Sequence, residues 1–111
     1  MTVTVKVLIP AKIAENSQTT QYTATGLKAI IDKFQAWNYS GSAATLSVNL
    51  VTASDTAGNQ NLVVKTYTLQ AGQTYTFPEI VGSSLDVGGF ISTIAGTATA
   101  IGIRASGREI S

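Results

Sequence analysis

The sequence contains no cysteine and no histidine. Without cysteine there is no disulfide, no thiolate zinc site and no cysteine nucleophile. Without histidine the chain lacks the side chain that most often serves as a general base or as a metal ligand. The composition therefore argues against the commonest kinds of hydrolytic and metal-dependent catalysis.

Charged residues are also scarce. They make up 12% of the chain, against about 25% in a typical soluble domain, and the net charge is +1. The basic residues are scattered, whereas binding to a nucleic-acid duplex requires clustered lysines and arginines. We therefore expect no nucleic-acid partner. The low charge has two interpretations: neighbouring molecules cover much of the surface, or serine and threonine hydroxyls keep an exposed surface soluble.

Long apolar runs are missing as well. No segment approaches the roughly 18 apolar residues that a membrane-spanning helix needs. The N-terminus alternates threonine and lysine with valine, and it lacks the continuous apolar stretch of a signal peptide. These features predict no membrane partner and a protein that is made, and stays, in a cytoplasm.

The sequence does contain a recurrent alternation of apolar and polar residues. Successive side chains of a strand point to opposite faces, so each alternating stretch predicts a strand with one buried face. The first stretch places Val3, Val5, Val7 and Ile9 on one face, and Pro10 is expected to end it. Sixteen threonines, many of them on the polar side, suit such a half-buried surface. The other stretches are 45–50, 62–69, 74–77, 91–95 and 98–104.

Turn residues separate these stretches, for example Ser40-Gly41-Ser42, the polar loop 54–59, Ala71-Gly72 and Gly96. Seven or eight short strands at this spacing predict one all-β domain over residues 1–111, an antiparallel, jelly-roll-like β-sandwich. A strand that ends at a proline is expected at the edge of its sheet. Residues 1–10 are therefore predicted to form an edge strand or a strand exchanged with a neighbouring copy.

The stretch from Leu27 to Trp37 fits two structures. Its apolar residues follow the i, i+3, i+4, i+7 spacing of a helix face, and periodicity alone favours the helix. The β pattern of the rest of the chain favours a strand. As a strand the stretch has two faces, one with Ile30, Phe34 and Ala36 and the other with Ile31, Gln35, Trp37 and Tyr39.

No arrangement of residues points to catalysis. The six carboxylates each stand alone in an ordinary stretch, so no pair is set up as acid and base. The glycines lack the phosphate-binding pattern G-x-x-x-x-G-K-[ST], and Asp55, Asn59 and Asn61 are too few for a calcium loop. The sequence therefore predicts that the protein is not an enzyme and has no catalytic residue, no metal site and no cofactor.

Two groups of residues are candidates for a contact surface. Val3, Val5 and Val7 lie in the expected edge strand, and an exposed edge is a template for pairing with another chain. Trp37 and Tyr39 share one face if their stretch is a strand. The three phenylalanine rings, Phe34, Phe77 and Phe90, are expected to fill the core.

Several segments resemble small virion proteins of tailed bacteriophages, over about residues 8 to 111. At Gly88-Gly89 the sequence departs from that pattern, which has glycine followed by an acid, so any contact made by that acid is not carried over. The resembling segments are Tyr22-Thr23-Ala24, Ile30-Ile31-Asp32-Lys33-Phe34, Thr45-Leu46-Ser47-Val48-Asn49-Leu50-Val51, Leu69-Gln70-Ala71-Gly72-Gln73-Thr74-Tyr75, Pro78-Glu79-Ile80-Val81-Gly82 and Ser106-Gly107-Arg108-Glu109.

The resemblance implies a structural component of the virion, assembled in the host cytoplasm. Its partners would be the major capsid protein or other virion proteins, together with copies of itself in a homo-oligomer. The first hypothesis is a capsid decoration or cement protein, and the alternative is a head–tail or tail component. A hypothesis of another class is a carbohydrate-binding module for adsorption to the host, which requires the rings of Trp37 and Tyr39 to be exposed on one flat face.

Overall fold

The computed structural model describes all 111 residues, in nine β-strands and one short 3-10 turn at Asn59–Asn61. The chain forms no helix that is long and apolar enough to span a bilayer. The strands pack as two antiparallel sheets. They are β1 (Val3–Ile13), β2 (Thr19–Thr23), β3 (Lys28–Asn38), β4 (Ala44–Val51), β5 (Leu62–Leu69), β6 (Thr74–Thr76), β7 (Ser84–Leu85), β8 (Phe90–Ala95) and β9 (Ile101–Ile110).

The strand order is that of a jelly roll. The first sheet has the order β1-β9-β3-β6 and the second has the order β2-β8-β4-β5. Both β6 and β7 pair with β3, at successive positions along it, so they form one interrupted strand. Apart from the link between β6 and β7 inside that interrupted strand, the chain crosses between the sheets at every connection except the hairpin from β4 to β5. This arrangement of eight strands confirms the predicted antiparallel, jelly-roll-like sandwich.

The core lies between the two sheets and has an aromatic centre. Phe34 and Phe77 are fully buried, with ring centroids 5.7 Å apart in an edge-to-face arrangement. Tyr67 and Tyr75 stack on each other at 4.3 Å and both contact Phe77. Edge-to-face and offset stacked rings are the preferred aromatic geometries, so this group joins β3, β5 and β6 tightly.

Phe90 does not join this core. It is only half-buried, which contradicts the prediction that it fills the interior. Ile91 and Ala95 of β8 belong to the core, and the alternation of the strand therefore turns Phe90 to the outer side of the sheet.

The ambiguous stretch is a strand, β3, and the prediction of its faces is wrong at Ile30 and Ile31. Ile31 is buried together with Phe34 and Ala36, whereas Ile30 is only half-buried. A β-bulge at Asp32, between the paired residues on either side of it, inserts one residue and shifts the alternation. The same insertion explains the helix-like spacing, because it separates two inward-facing residues by three positions.

Pro10 does not end β1, which continues to Ile13. Pro10 lies where the pairing with β9 is irregular, between Ile9 and Lys12. No strand lies on the other side of β1. Its missing N–H therefore costs no hydrogen bond between strands, which is why the proline is tolerated inside this strand.

The predicted buried face of β1 is also wrong. Val3, Val5 and Val7 are exposed, and the neighbouring residues Leu8 and Ile9 are both buried. A second β-bulge, between Val7 and Ile9, causes the change of phase. Only Leu8 and Ile9, in the middle of the strand, therefore contribute to the core.

Candidate assembly surface

The first residues of β1 are uncovered on both faces of the sheet. Residues 3–7 are all exposed, although their side chains alternate between the two faces. Val3, Val5 and Val7, the valine row, are 50%, 83% and 39% exposed. An apolar row at this level of exposure is unusual for the residues of a strand, which normally bury their apolar face.

The valine row lies on the outer face of the first sheet. Its three residues pair with positions 110, 108 and 106 of β9. Ile103 and Ala105 of β9 face the core, so the even-numbered positions that follow them face outward. Beside the row, Arg108 forms an ion pair with Asp32, with 2.8 Å between Nη2 and Oδ1.

The backbone groups of the valine row point to the open edge of the sheet. The Thr2 N–H donates to the Ser111 carbonyl at 2.9 Å, and the Ser111 N–H donates to the Thr2 carbonyl at 3.0 Å. Bonded and non-bonded pairs alternate along an antiparallel ladder, so Thr4 and Lys6 also direct their backbone groups to β9. The residues between them, the valine row, direct their N–H and C=O groups away from β9, to the side where no strand lies.

The opposite face of this segment carries a polar cluster. The carboxylate of Glu109 accepts hydrogen bonds from the Tyr22 hydroxyl and from Nζ of Lys6. The hydrogen bond from Tyr22 holds the pKa of Glu109 below its usual range, and Lys6 adds to the effect. Partial burial, and then the Glu109 carboxylate, raise the pKa of Tyr22 above its usual range. These hydrogen bonds link β1, β2 and β9 on the inner face of the exposed segment.

We expect the stability of the protein to be constant near neutral pH and to fall in acid. The chain has no histidine, and the pKa values of Glu109, Asp32, Glu15 and Asp55 are all lowered by hydrogen bonds. A carboxyl whose pKa is lower in the folded state stabilises the fold above its unfolded pKa of about 4. That contribution is lost as the pH falls through the folded value.

The measurement is the urea midpoint as a function of pH. It should be flat between about pH 5.5 and 8.5 and should decline below about pH 4.5. The Glu109→Gln variant should have a lower midpoint at neutral pH and a shallower decline in acid. A variant with the wild-type pH profile would show that Glu109 does not contribute.

Trp37 and Tyr39 lie at the other end of the first sheet. Trp37 pairs with Gly102, and a β-carbon on that glycine would lie 2.3 Å from Cε2 of the indole, so the half-buried ring rests on the glycine. Tyr39 is 49% exposed and donates its N–H to the Ala100 carbonyl at 3.1 Å. Six residues of β9, about 20 Å, separate the level of Gly102 from that of Val5. The structure therefore does not bring the two groups into one surface.

The outer face of the second sheet carries a polar network that the sequence analysis did not identify. Nδ2 of Asn49 donates to the Gly58 carbonyl at 3.1 Å and to Oδ1 of Asn61 at 2.7 Å. The network holds the loop after β4 against the sheet and borders a shallow depression of about 220 Å³. No buried side-chain polar atom of the chain lacks a hydrogen-bond partner, so the polar groups of the network are already paired within the chain. An asparagine within an apolar strand was the available signal.

The acidic side chains do not gather into one cluster in the structure. No group of three or more acidic, histidine or cysteine side chains converges in the structure. The carboxylate of Asp55 accepts hydrogen bonds from the Thr56 N–H and from the Gln60 amide of its own loop. Its neighbour Asn61 holds the same loop, so these side chains stabilise a turn.

The fold and the exposed edge together define a small jelly-roll protein with an uncovered strand at one end. The chain matches no protein-family profile, no curated protein and no solved structure. The resemblance to virion proteins of tailed bacteriophages therefore stays a prediction from the sequence segments that carry it.

Proposed function

We propose that this chain is a structural protein of a bacteriophage virion, and specifically a capsid decoration or cement subunit that stabilises the shell by protein–protein contacts. The proposal rests on the exposed segment of β1. That segment is uncovered on both faces, carries the valine row and directs free backbone groups to an open edge. Covering a surface of this kind with another protein lowers the free energy of the system, because apolar area is removed from water.

The distribution of protective features along β1 supports this function. Proteins that must avoid association protect an edge strand with charges, prolines or bulges. In β1 the bulge and Pro10 both lie after Val7. The first part of the strand contains a single charged residue, Lys6, and its charge is already paired with Glu109. The unprotected part of the edge is therefore the part that carries the valine row.

Composition and architecture are compatible with the same role. A chain with 12% charged residues can cover much of its surface against neighbours at a modest cost in desolvation. The jelly roll is an architecture of viral capsid proteins, but also of lectins and cupins. Architecture alone does not define a function, so the proposal depends on the exposed segment and on the sequence resemblance.

The test is to purify intact virus particles and to count this polypeptide relative to the major capsid protein. We expect many copies per particle. The Val5→Lys variant should lose at least about nine tenths of that occupancy, because it places a charge in the middle of the contact. Val87→Lys is the matched control, since Val87 is 51% exposed and lies in the turn between β7 and β8, not in β1.

Each outcome of this test has a distinct meaning. Absence of the wild-type polypeptide from purified particles would overturn the proposed function. A copy number of a few per particle would identify a head–tail or tail component instead of a decoration protein. Normal occupancy of Val5→Lys would show that β1 is not the contact.

A carbohydrate-binding module remains the second candidate function, because neither Trp37 nor Tyr39 is buried in the core. Trp37 is the single tryptophan of the chain, so its fluorescence reports directly on that surface. A saturable change in fluorescence with host-surface oligosaccharides, abolished in Tyr39→Ala, would support this candidate. A fluorescence signal that does not respond would reject it.

A further inference from the structure

We infer that two copies of this chain pair antiparallel through β1, with Val5 of one copy opposite Val5 of the other. The inference rests on the proposed function, since it names the partner of the same exposed strand. That partner is a second copy of the chain, and the observations that identify it are the direction of the backbone groups and the position of the charge.

The backbone of β1 permits this register. Two antiparallel strands form a bonded pair only where both residues direct their backbone groups to each other. On the open edge those residues are the members of the valine row, as the bonds between Thr2 and Ser111 establish. With Val5 opposite Val5, Val3 lies opposite Val7 and Val7 opposite Val3. All three members of the row on each strand then exchange both of their hydrogen bonds.

Other registers are less favourable. Centring the pair on Lys6 would place Lys6 opposite Lys6 in a non-bonded pair, where side chains are closest and like charges repel. Centring it on Thr4 would leave Val7 without a valine opposite. Centring it on Val7 would bring the bulge and Pro10 into the pairing. In the register centred on Val5, Lys6 lies opposite Thr4, and each lysine keeps its own Glu109.

The resulting contact joins two copies and leaves no open β1 edge for a third. A two-fold axis through Val5 makes the two surfaces identical, so one pairing uses the open edges of both copies. The valine rows meet on the outer face, and the two first sheets join into one sheet across the axis. The paired segment is short, which places the contact at the small end of interfaces, so it is favoured by the high local concentration on a particle surface.

Single cysteine variants test the register, because the wild-type chain has no cysteine. In the inferred pair, two Cys side chains introduced by Val5→Cys have Cα atoms about 5.5 Å apart, within disulfide range. Val5→Cys should therefore form a disulfide-linked dimer under mild oxidation. Val3→Cys alone and Val7→Cys alone, whose equivalent Cα atoms are about 14 Å apart, should stay monomeric, whereas a mixture of the two should cross-link.

The urea midpoint of each variant should equal that of the wild type, because all three positions are exposed. Cross-linking of Val3→Cys alone to the extent of Val5→Cys would overturn the register. A Val5→Cys variant that stays monomeric at millimolar concentration would overturn self-pairing. If that variant still enters particles, the proposed function stands and β1 has a different partner. If the wild-type chain is absent from particles, the proposed function fails separately.

Discussion

Replacing Phe77 with alanine is expected to lower the free energy of unfolding by about 3–5 kcal/mol. Phe77 is fully buried, and its ring lies 5.7 Å from that of Phe34, 5.5 Å from that of Tyr67 and 4.9 Å from that of Tyr75. The substitution removes the ring that the other three share. Tyr67 and Tyr75 are only half-buried, and moving them inward to fill the cavity would withdraw their hydroxyls from water.

The measurement is urea unfolding followed by circular dichroism and by the fluorescence of Trp37. Tyr39→Ala is the matched control, since Tyr39 is an exposed aromatic residue outside the core, and its stability should change by less than about 0.5 kcal/mol. A loss of less than about 1 kcal/mol in Phe77→Ala would contradict the central place of Phe77 in the core.

The second large effect is expected at Gly107, a residue of β9. A β-carbon there would lie 2.0 Å from the Ile30 carbonyl oxygen and 3.0 Å from Cδ1 of Leu8. β9 runs between β1 and β3, and both of these strands have a bulge at this level. The obstructing oxygen belongs to the backbone of a central strand, so it cannot move away as a side chain could. Gly107→Ala should therefore destabilise the fold by about 3 kcal/mol or more.

Thermal unfolding of Gly107→Ala should show a midpoint about 10 °C or more below that of the wild type. Gly41→Ala is the control, because nothing lies within 4 Å of its β-carbon position and its backbone needs no left-handed conformation. The control should be neutral or slightly stabilising, since alanine restricts the unfolded chain. Equal midpoints for the two variants would mean that β9 can shift to accept a side chain.

The sequence was most informative in the strands that contain no inserted residue of their own. The alternating apolar residues of β4 and β9, such as Leu46 and Ile103, are buried as expected, whereas β5 has the predicted bounds, Leu62–Leu69, but contains inserted residues. In β4 and β9 the face of each residue follows from its position in the strand alone. A local pattern was therefore sufficient.

The predictions failed at the bulges. An extra residue at Asp32 and another before Ile9 reverse the alternation within β3 and β1. Neither insertion has a marker in its own segment, such as the glycine that often accompanies a bulge. The nearest marker is Gly107, which is remote in sequence and lies between the two bulged strands.

The position of the valine row in the fold was predicted in part. The valine row was selected because its strand was expected at an edge, and β1 does lie at the edge of its sheet. The alternation of β1 also predicted those valines on a buried face, which is wrong. Trp37 and Tyr39 were selected as neighbours on a strand, but their distance from the valine row depends on the length of β9. The register between two strands that are remote in sequence depends on both strands together, so it cannot be read from either segment alone.

By itself, the sequence determined an all-β sandwich without cysteine or histidine chemistry, because alternation, turn residues and composition are local properties of the chain. The tertiary structure alone decided the strand order, the continuation of β1 past Pro10 and the exposure of the valine row. These features depend on which residues pair across long separations in sequence, such as Val5 with Arg108.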